Sequence, residues 1–252
     1  MFAPVTHALV EAARLGKGDS VLDVATGPGE PALSIAEIVG NEGRVTGVDA
    51  VDEMIHGARR AAERLGLRNA QFDTADVAHM PFGNDAFDAA ISRFGAMFFP
   101  SPVDVVREIL RVVKPGGRLA FAVWRDAERN AFFSILTRAV APYVTFPPPE
   151  PDAMDAFRFA DPGKLLTVVR DAGALDAGER NLEFMIEVPA GAEEFWSLRL
   201  ELSEAVREKI FALSPEDLER ARRAAVDAFR EYESNGRMRL PAEVLIVTGL
   251  KG

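Results

Sequence analysis

From Ser20 onward the chain alternates short, nearly continuous apolar runs with longer stretches in which apolar residues return every three or four positions. The short runs suit strands covered on both faces, and the 3.6-residue period marks the buried stripe of a helix. The first predicted strand is 21–24. The helix after it has Pro31 in its first turn, Ala32, Ile35, Ala36 and Val39 on one face, and Gly40 at its end. Residues 44–48 form the second strand. The next helix starts with Asp52 as N-cap, presents Met54, Ala58, Ala61 and Leu65 to the sheet, and stops at Gly66. Strands over 70–74, 87–92 and 118–124 follow. Between the last two lies a helix over 103–113, ended by Lys114-Pro115-Gly116-Gly117. This alternation predicts an α/β fold with a doubly wound, mostly parallel sheet.

The second half changes character. Residues 146–151, Phe-Pro-Pro-Pro-Glu-Pro, read as a stiff extended linker or gate, because proline fixes φ and disfavours helix in the residue before it. Asp161-Pro162 opens a helix that ends near Gly173. Residues 181–189 alternate Leu182, Phe184, Ile186 and Val188 on one face, as a half-buried strand does. Residues 191–236 carry helix signals throughout, including the capping-box-like Ser214-Pro215-Glu216-Asp217. The closing strand, 243–248, is expected to pair with 181–189 across this insertion. The predicted architecture is a seven-stranded sheet with an antiparallel last strand and a helical insertion before it. Residues 1–190 form the core, 191–236 the insertion and 237–252 the final strand.

Composition narrows the function. The 252 residues are 48% hydrophobic, enough for a sizeable core, and carry 29 Lys+Arg against 39 Asp+Glu for a net charge of −10. An acidic surface repels polyphosphate and anionic lipid, so neither nucleic acid nor a membrane is an expected partner. There is no cysteine, which excludes disulfides, thiolate zinc sites and a cysteine nucleophile. No apolar run approaches the roughly 20 residues of a membrane span. The opening Met-Phe-Ala-Pro-Val-Thr-His-Ala-Leu-Val-Glu is amphipathic rather than leader-like, so the cytoplasm is the expected location.

The segment Asp23-Val24-Ala25-Thr26-Gly27-Pro28-Gly29-Glu30 ends one strand and opens a helix, and its glycines let backbone approach a ligand where a Cβ would collide. Asp49 stands 20 residues beyond Gly29 at the end of the second strand, where a carboxylate can accept both ribose hydroxyl hydrogens. Together they describe a nucleoside site. Gly27-Pro28-Gly29-Glu30-Pro31-Ala32 also fits the dinucleotide fingerprint G-x-G-x-x-A, which makes an NAD-dependent oxidoreductase the rival reading. Against it, Glu30 places negative charge where a pyrophosphate would bind. Neither Tyr143 nor Tyr232 is followed four residues later by Lys.

The order of these motifs resembles the class I S-adenosylmethionine (SAM)-dependent methyltransferases, most closely the branch of ubiquinone and menaquinone C-methyltransferases. The likeness runs from about Val21 to Trp124. It implies that Asp23, Ala25, Gly27 and Gly29 lie near the methionine moiety of SAM, with Ala25 standing where glycine is commoner. It also implies that Asp49 meets the ribose and that Ala50 and Met54 meet the adenine. Asp76-Val77-Ala78-His79-Met80-Pro81-Phe82 resembles a third family segment, which implies Asp76 at the adenine amino group and the Val77 N–H at a ring nitrogen. Ser92, after the fourth strand, falls where the family faces cofactor and substrate. The cofactor implied is SAM, with S-adenosylhomocysteine as product. The Asn/Asp-Pro-Pro-aromatic motif of nucleobase methyltransferases is absent there, so a small-molecule acceptor is expected, methylated on carbon, oxygen or nitrogen.

Methyl transfer from a sulfonium is an in-line displacement that needs an oriented acceptor in a water-poor pocket and no metal. Phe94, Met97, Phe98, Trp124, Phe157 and Trp196 are candidates for an apolar acceptor pocket, with Arg93 and Arg158 available to hold an anionic group. The plain alternative is that such aromatics are core. No catalytic residue is identified; His7 is the candidate base and Arg93 a second candidate for a role in chemistry. The insertion 191–236, with the 147–151 gate, is expected to close over the acceptor. Its alternative role is a homodimer contact through Phe195, Trp196, Leu198 and Leu202. A non-catalytic SAM-binding module is the third functional reading.

Overall fold

The computed structural model describes residues 1–146 and 152–252, apart from the side chains of Glu204 and Ala205. The proline segment read as a linker or gate, 147–151, lies outside the described residues. Strand β1 (Ser20–Val24) is buried at every position, the polar Ser20 and Asp23 included, and pairs in parallel with β2 (Arg44–Asp49) on one side and β4 (Phe87–Arg93) on the other. Strand β3 (Ala70–Thr74) continues in parallel beyond β2, and β5 (Val113–Trp124) beyond β4. After β6 (Leu175–Val188) and a two-residue strand β7 (Glu233–Ser234), β8 (Arg237–Leu250) runs antiparallel to β5, from Arg118 opposite Leu250 to Trp124 opposite Val244. The order is β3-β2-β1-β4-β5-β8-β6, with β7 hairpinned onto β8. The doubly wound, mostly parallel sheet with an antiparallel last strand is therefore as the sequence predicts, with β8 pairing β6 across the helical segment. The chain leaves β1 for one side of the sheet and later returns to its other side. A crevice opens at that reversal, beyond the C-terminal ends of β1 and β4.

The contacts group the chain into two compact units. The first, residues 3–125, 152–182 and 244–252, holds the parallel strands with α1 (Ala3–Ala13), α2 (Ala32–Val39), α3 (Asp52–Leu65), α4 (Pro102–Val112) and α6 (Lys164–Asp171). Helix α2 buries Ala32, Ile35, Ala36 and Val39 and ends at Gly40 (φ +69°), as its pattern predicts. Helix α3 differs. Its buried face is Ile55, Ala58 and Ala62, whereas Met54 and Leu65 are 43% and 58% exposed. The helix begins at Asp52 with Val51 as its N-cap, and Ile55 and Ala62 take the inward places expected of Met54 and Ala61. Strand β5 begins at Val113 rather than at residue 118, so the Lys114–Gly117 segment lies inside an irregular strand start, with a register shift opposite Phe87 and Ala89. A Cβ on Gly117 would stand 2.6 Å from the Asp88 carbonyl, which explains glycine there.

The second unit holds the described residues of 1–2, 126–151 and 183–243, with α5 (Ala131–Val140), α7 (Ala192–Glu201), α8 (Glu204–Phe211) and α9 (Pro215–Arg230). Its core is aromatic: Phe195 meets Phe229 edge-on at 4.9 Å and Phe132 at 5.9 Å. Helix α9 starts as read from sequence, with the Ser214 hydroxyl accepting from the Asp217 N–H at 3.2 Å.

Candidate functional site

The loop after β1 is shaped by backbone that most side chains resist. Ala25, Gly27 and Gly29 all have positive φ, at +57°, +57° and +111°. Glycine is free in that region; Ala25 is not, and it is accommodated by Gly95, where a Cβ would lie 2.5 Å from the Ala25 methyl. At Gly29 a Cβ would press on Leu33 at 3.0 Å and on Ala58 at 3.2 Å, so this glycine lets α2 and α3 approach. Asp49, at the end of β2, ties the loop in place. One carboxylate oxygen accepts from the Gly27 N–H at 2.9 Å, and the other accepts from the Val51 N–H at 3.0 Å. Each oxygen keeps a further lone pair for a hydroxyl donor.

Asp23 is the buried end of this arrangement. Its carboxyl accepts from the Thr26 hydroxyl at 2.6 Å and from the Ala32 N–H, the first amide of α2, at 3.1 Å. Burial pushes its pKa up to about 7 against the opposing pull of the Thr26 hydroxyl and the Arg93 charge. The N-terminus of α2, the position a dinucleotide pyrophosphate would take, is thus occupied by a carboxyl group of the chain itself. Glu30 stands at the same helix start and accepts from the Ser34 hydroxyl at 2.8 Å.

A cavity of about 530 Å³ opens at this crevice. Of the residues singled out in the sequence, Ala25, Gly27, Asp49, Ala50, Met54, Asp76 and Val77 line it on one side, and Arg93, Phe94 and Phe98 on another. Because Ile55 takes the inward place on α3, Met54 is free to face this space. Three others support the wall from behind: Asp23 and Ser92 are fully buried, and Gly29 packs against α3. Phe94 (φ +64°) is stacked at 4.1 Å and nearly parallel on Trp124, which is buried. Met97 is core, as the plain reading of the aromatic and methionine run allowed. Arg158 reaches the rim only through its hydrogen bond to the Phe99 carbonyl at 2.6 Å, and the Phe157 N–H caps Asp155. Trp196 is buried in the helical unit. Thr26, Val51, Gly95 and Pro100 line the cavity without having been singled out for it; Gly95 and Pro100 flank the apolar run that was.

The charges around the cavity are mostly negative. Glu30, Asp49 and Asp76 line it, and Asp76 is held below the usual carboxylate range by the Ala78 N–H and then by His79. Arg93 is the cation of the wall. It donates to the Thr6 hydroxyl at 2.6 Å, and burial lowers its pKa while Asp23 and Glu30 oppose the shift. A guanidinium cannot serve as a base at ordinary pH. His7 is exposed on α1, and His56 and His79 are exposed as well.

A doubly wound α/β unit with a glycine-bearing loop after β1, an acidic residue after β2 and a cavity at the switch point defines a nucleoside-binding class of protein. Within that class, the methyltransferase domain family matches residues 15–140, half of the chain, and the chain belongs to this family. The demethylmenaquinone methyltransferase of Listeria welshimeri is 36% identical over 107 residues, which are 42% of this chain and 45% of that protein. The chain therefore aligns with less than half of the length of such relatives. Among solved structures, a SAM-dependent methyltransferase from Aquifex aeolicus superposes with a TM-score of 0.53 at 22% identity, covering 70% of this chain and 82% of that one. The YcgJ protein of Bacillus subtilis superposes with a TM-score of 0.60 at 20% identity, covering 98% and 97%. These structures share the fold. Among the described residues, no helix is long and apolar enough to cross a membrane.

Proposed function

We propose that this protein binds SAM in the crevice beside β1 and transfers its methyl group to a carbon, oxygen or nitrogen of a small molecule, releasing S-adenosylhomocysteine. The observation that carries the reading is the charge of the crevice: Asp23 occupies the start of α2, and Glu30, Asp49 and Asp76 line the cavity. SAM brings a sulfonium and an ammonium, which an anionic wall attracts; a pyrophosphate would meet the same wall as repulsion. The fit extends to shape, since a cavity of about 530 Å³ falls within the range of small-ligand sites.

When bound, SAM supplies an electrophilic methyl on sulfur. The chain's own residues would hold and orient. Asp49 keeps lone pairs for the ribose hydroxyls while its other contacts fix the loop. Ala50, Met54 and Val77 offer an apolar slot for adenine, with Asp76 at its polar edge. Phe94 and Phe98 offer an apolar wall to the acceptor, with Arg93 as a fixed positive charge that balances the carboxylates. We place the protein in the cytoplasm and assign it a small-molecule rather than a nucleic-acid substrate, on the strength of the net charge of −10. A lid role for residues 191–236, or a role in a homodimer, belongs to the same proposal. Of the residues read as a dimer face, Phe195 and Trp196 are buried within the chain and Leu202 is 57% exposed.

Calorimetric titration with SAM, S-adenosylhomocysteine and NAD tests the reading. Micromolar binding of both adenosyl ligands is expected, weakened at least tenfold, about 1.4 kcal/mol, in Asp49→Ala. Binding of NAD alone, or of none of the three, overturns it. Binding of SAM without methylated product across an acceptor panel would leave only the non-catalytic module.

A further inference from the structure

The helical unit contains a charge that nothing ionic among the described residues balances. Helix α7 buries Ala192, Phe195, Trp196, Arg199 and Leu200, the i, i+3, i+4, i+7, i+8 stripe of a core-facing helix. An arginine therefore sits where the pattern calls for an aliphatic side chain, and it is only 5% exposed. Its guanidinium lies 4.0 Å above the ring of Phe132 and 5.8 Å from that of Phe133. Its Nε is sealed from solvent with no hydrogen-bond partner, and no carboxylate pairs with it among the described residues. Burial alone pulls its pKa down, to about 10, which leaves it charged at neutral pH.

Other arginines of this unit behave differently. Arg222 pairs with Glu193 and Glu219, Arg230 with Glu193 and Asp227, and Arg239 with Glu187. Carboxylates are thus plentiful in this unit, yet the deeply buried arginine pairs with none among the described residues. Taking a guanidinium out of water is costly unless a counter-ion and hydrogen bonds restore what is lost, and one aromatic face restores only part. The edge of the guanidinium, with its forked N–H donors, is what the protein leaves unanswered; the group that answers such an edge is a planar carboxylate. The rings beside the guanidinium, Phe132 and Phe133, give whatever bears it an apolar neighbour.

We infer that Arg199 is the receptor of a ligand site in the helical unit that takes a carboxylate carried on a flat, apolar or aromatic body. This rests on the helical unit alone and does not depend on the methyl-transfer reading.

The test uses the full chain with 2-naphthoate, its neutral isostere 2-naphthamide, and inorganic phosphate, followed by calorimetry, thermal melting and hydrogen exchange. 2-Naphthoate is expected to bind at least tenfold more tightly than 2-naphthamide, to raise the melting temperature, and to slow exchange in α5 and α7. Arg199→Met keeps the volume and removes the charge. It is expected to melt no lower than the parent and to lose naphthoate binding at least tenfold, with Arg199→Lys intermediate. Equal binding of naphthoate and naphthamide, a response to phosphate alone, or naphthoate protection elsewhere than α5 and α7 overturns the inference. So does an Arg199→Met protein that melts several degrees lower, because the arginine is then a structural cation on Phe132. Should Arg199→Met not fold, the exchange and isostere comparison on the parent protein decides.

Discussion

The two units differ in the opposite charge they set beside a buried ionisable group. In the sheet unit the buried acid, Asp23, is given a hydroxyl and a helix amide on one oxygen and the nearby charge of Arg93, while its other oxygen is sealed without a hydrogen-bond partner. Its work is internal, closing the start of α2 against anions while exposed carboxylates line the cavity. In the helical unit the buried base, Arg199, is given an aromatic face and, among the described residues, nothing ionic. A buried charge with an opposite charge of its own chain nearby organises structure; one with none among the described residues marks where a ligand would supply the complement. The first region thus fits a cationic adenosyl ligand and the second an anionic one.

The contrast is most sharply tested by pH. Asp23 titrates near 7 in the folded protein, well above its unfolded value, so its contribution to stability is complete below about pH 4 and is lost as pH rises through 7. Asp23→Asn should therefore gain on the parent between pH 4 and 8, by up to ~4 kcal/mol, as read by urea unfolding at each pH. Arg199, charged throughout that window, should contribute no slope: Arg199→Met shifts the curve without tilting it. A slope that survives in Asp23→Asn, or disappears in Arg199→Met, would break the comparison.

Next in size is the packing that shapes the crevice. Gly95→Ala puts a methyl 2.5 Å from that of Ala25 and should cost about 1–3 kcal/mol, together with most of the SAM affinity. Adding Ala25→Gly should recover part of both, since it removes one of two close contacts, that with the Ser92 hydroxyl at 2.6 Å remaining, and suits the positive φ; additive losses in the double-mutant cycle would show that the two residues are not coupled. The smallest effect is expected at Met54. Because it faces the cavity rather than the core, Met54→Ala should leave stability within about 0.5 kcal/mol of the parent while weakening SAM several-fold. A loss of stability like that of a core residue would return Met54 to the buried face.

Much of this molecule is legible in one dimension. The α2 stripe, the parallel run β1 to β5, the Ser214 start of α9 and the β6–β8 pairing follow from period, caps and turn residues, because those are local preferences that the fold does not override. Seven of the ten residues assigned to the cofactor line one cavity, since the motif order places them all at C-terminal strand ends. The acceptor assignment fared less evenly. Phe94 and Phe98 face the cavity, while Met97 is core and Trp124 serves as the platform beneath Phe94. An aromatic run does not say which ring is wall and which is foundation; that depends on a positive φ at Phe94 that no propensity forecasts.

By itself, then, the sequence determined the doubly wound sheet, the glycine-bearing loop with its partner Asp49, and a net charge of −10. Those properties live in short spacings and in composition. Only the tertiary structure decided that α3 turns Ile55 rather than Met54 inward, that Gly95 makes room for Ala25, and that Arg199 is buried without an ionic partner among the described residues. Each of these depends on which side chains distant segments bring together, and burial and pairing are properties of that three-dimensional neighbourhood rather than of the residue.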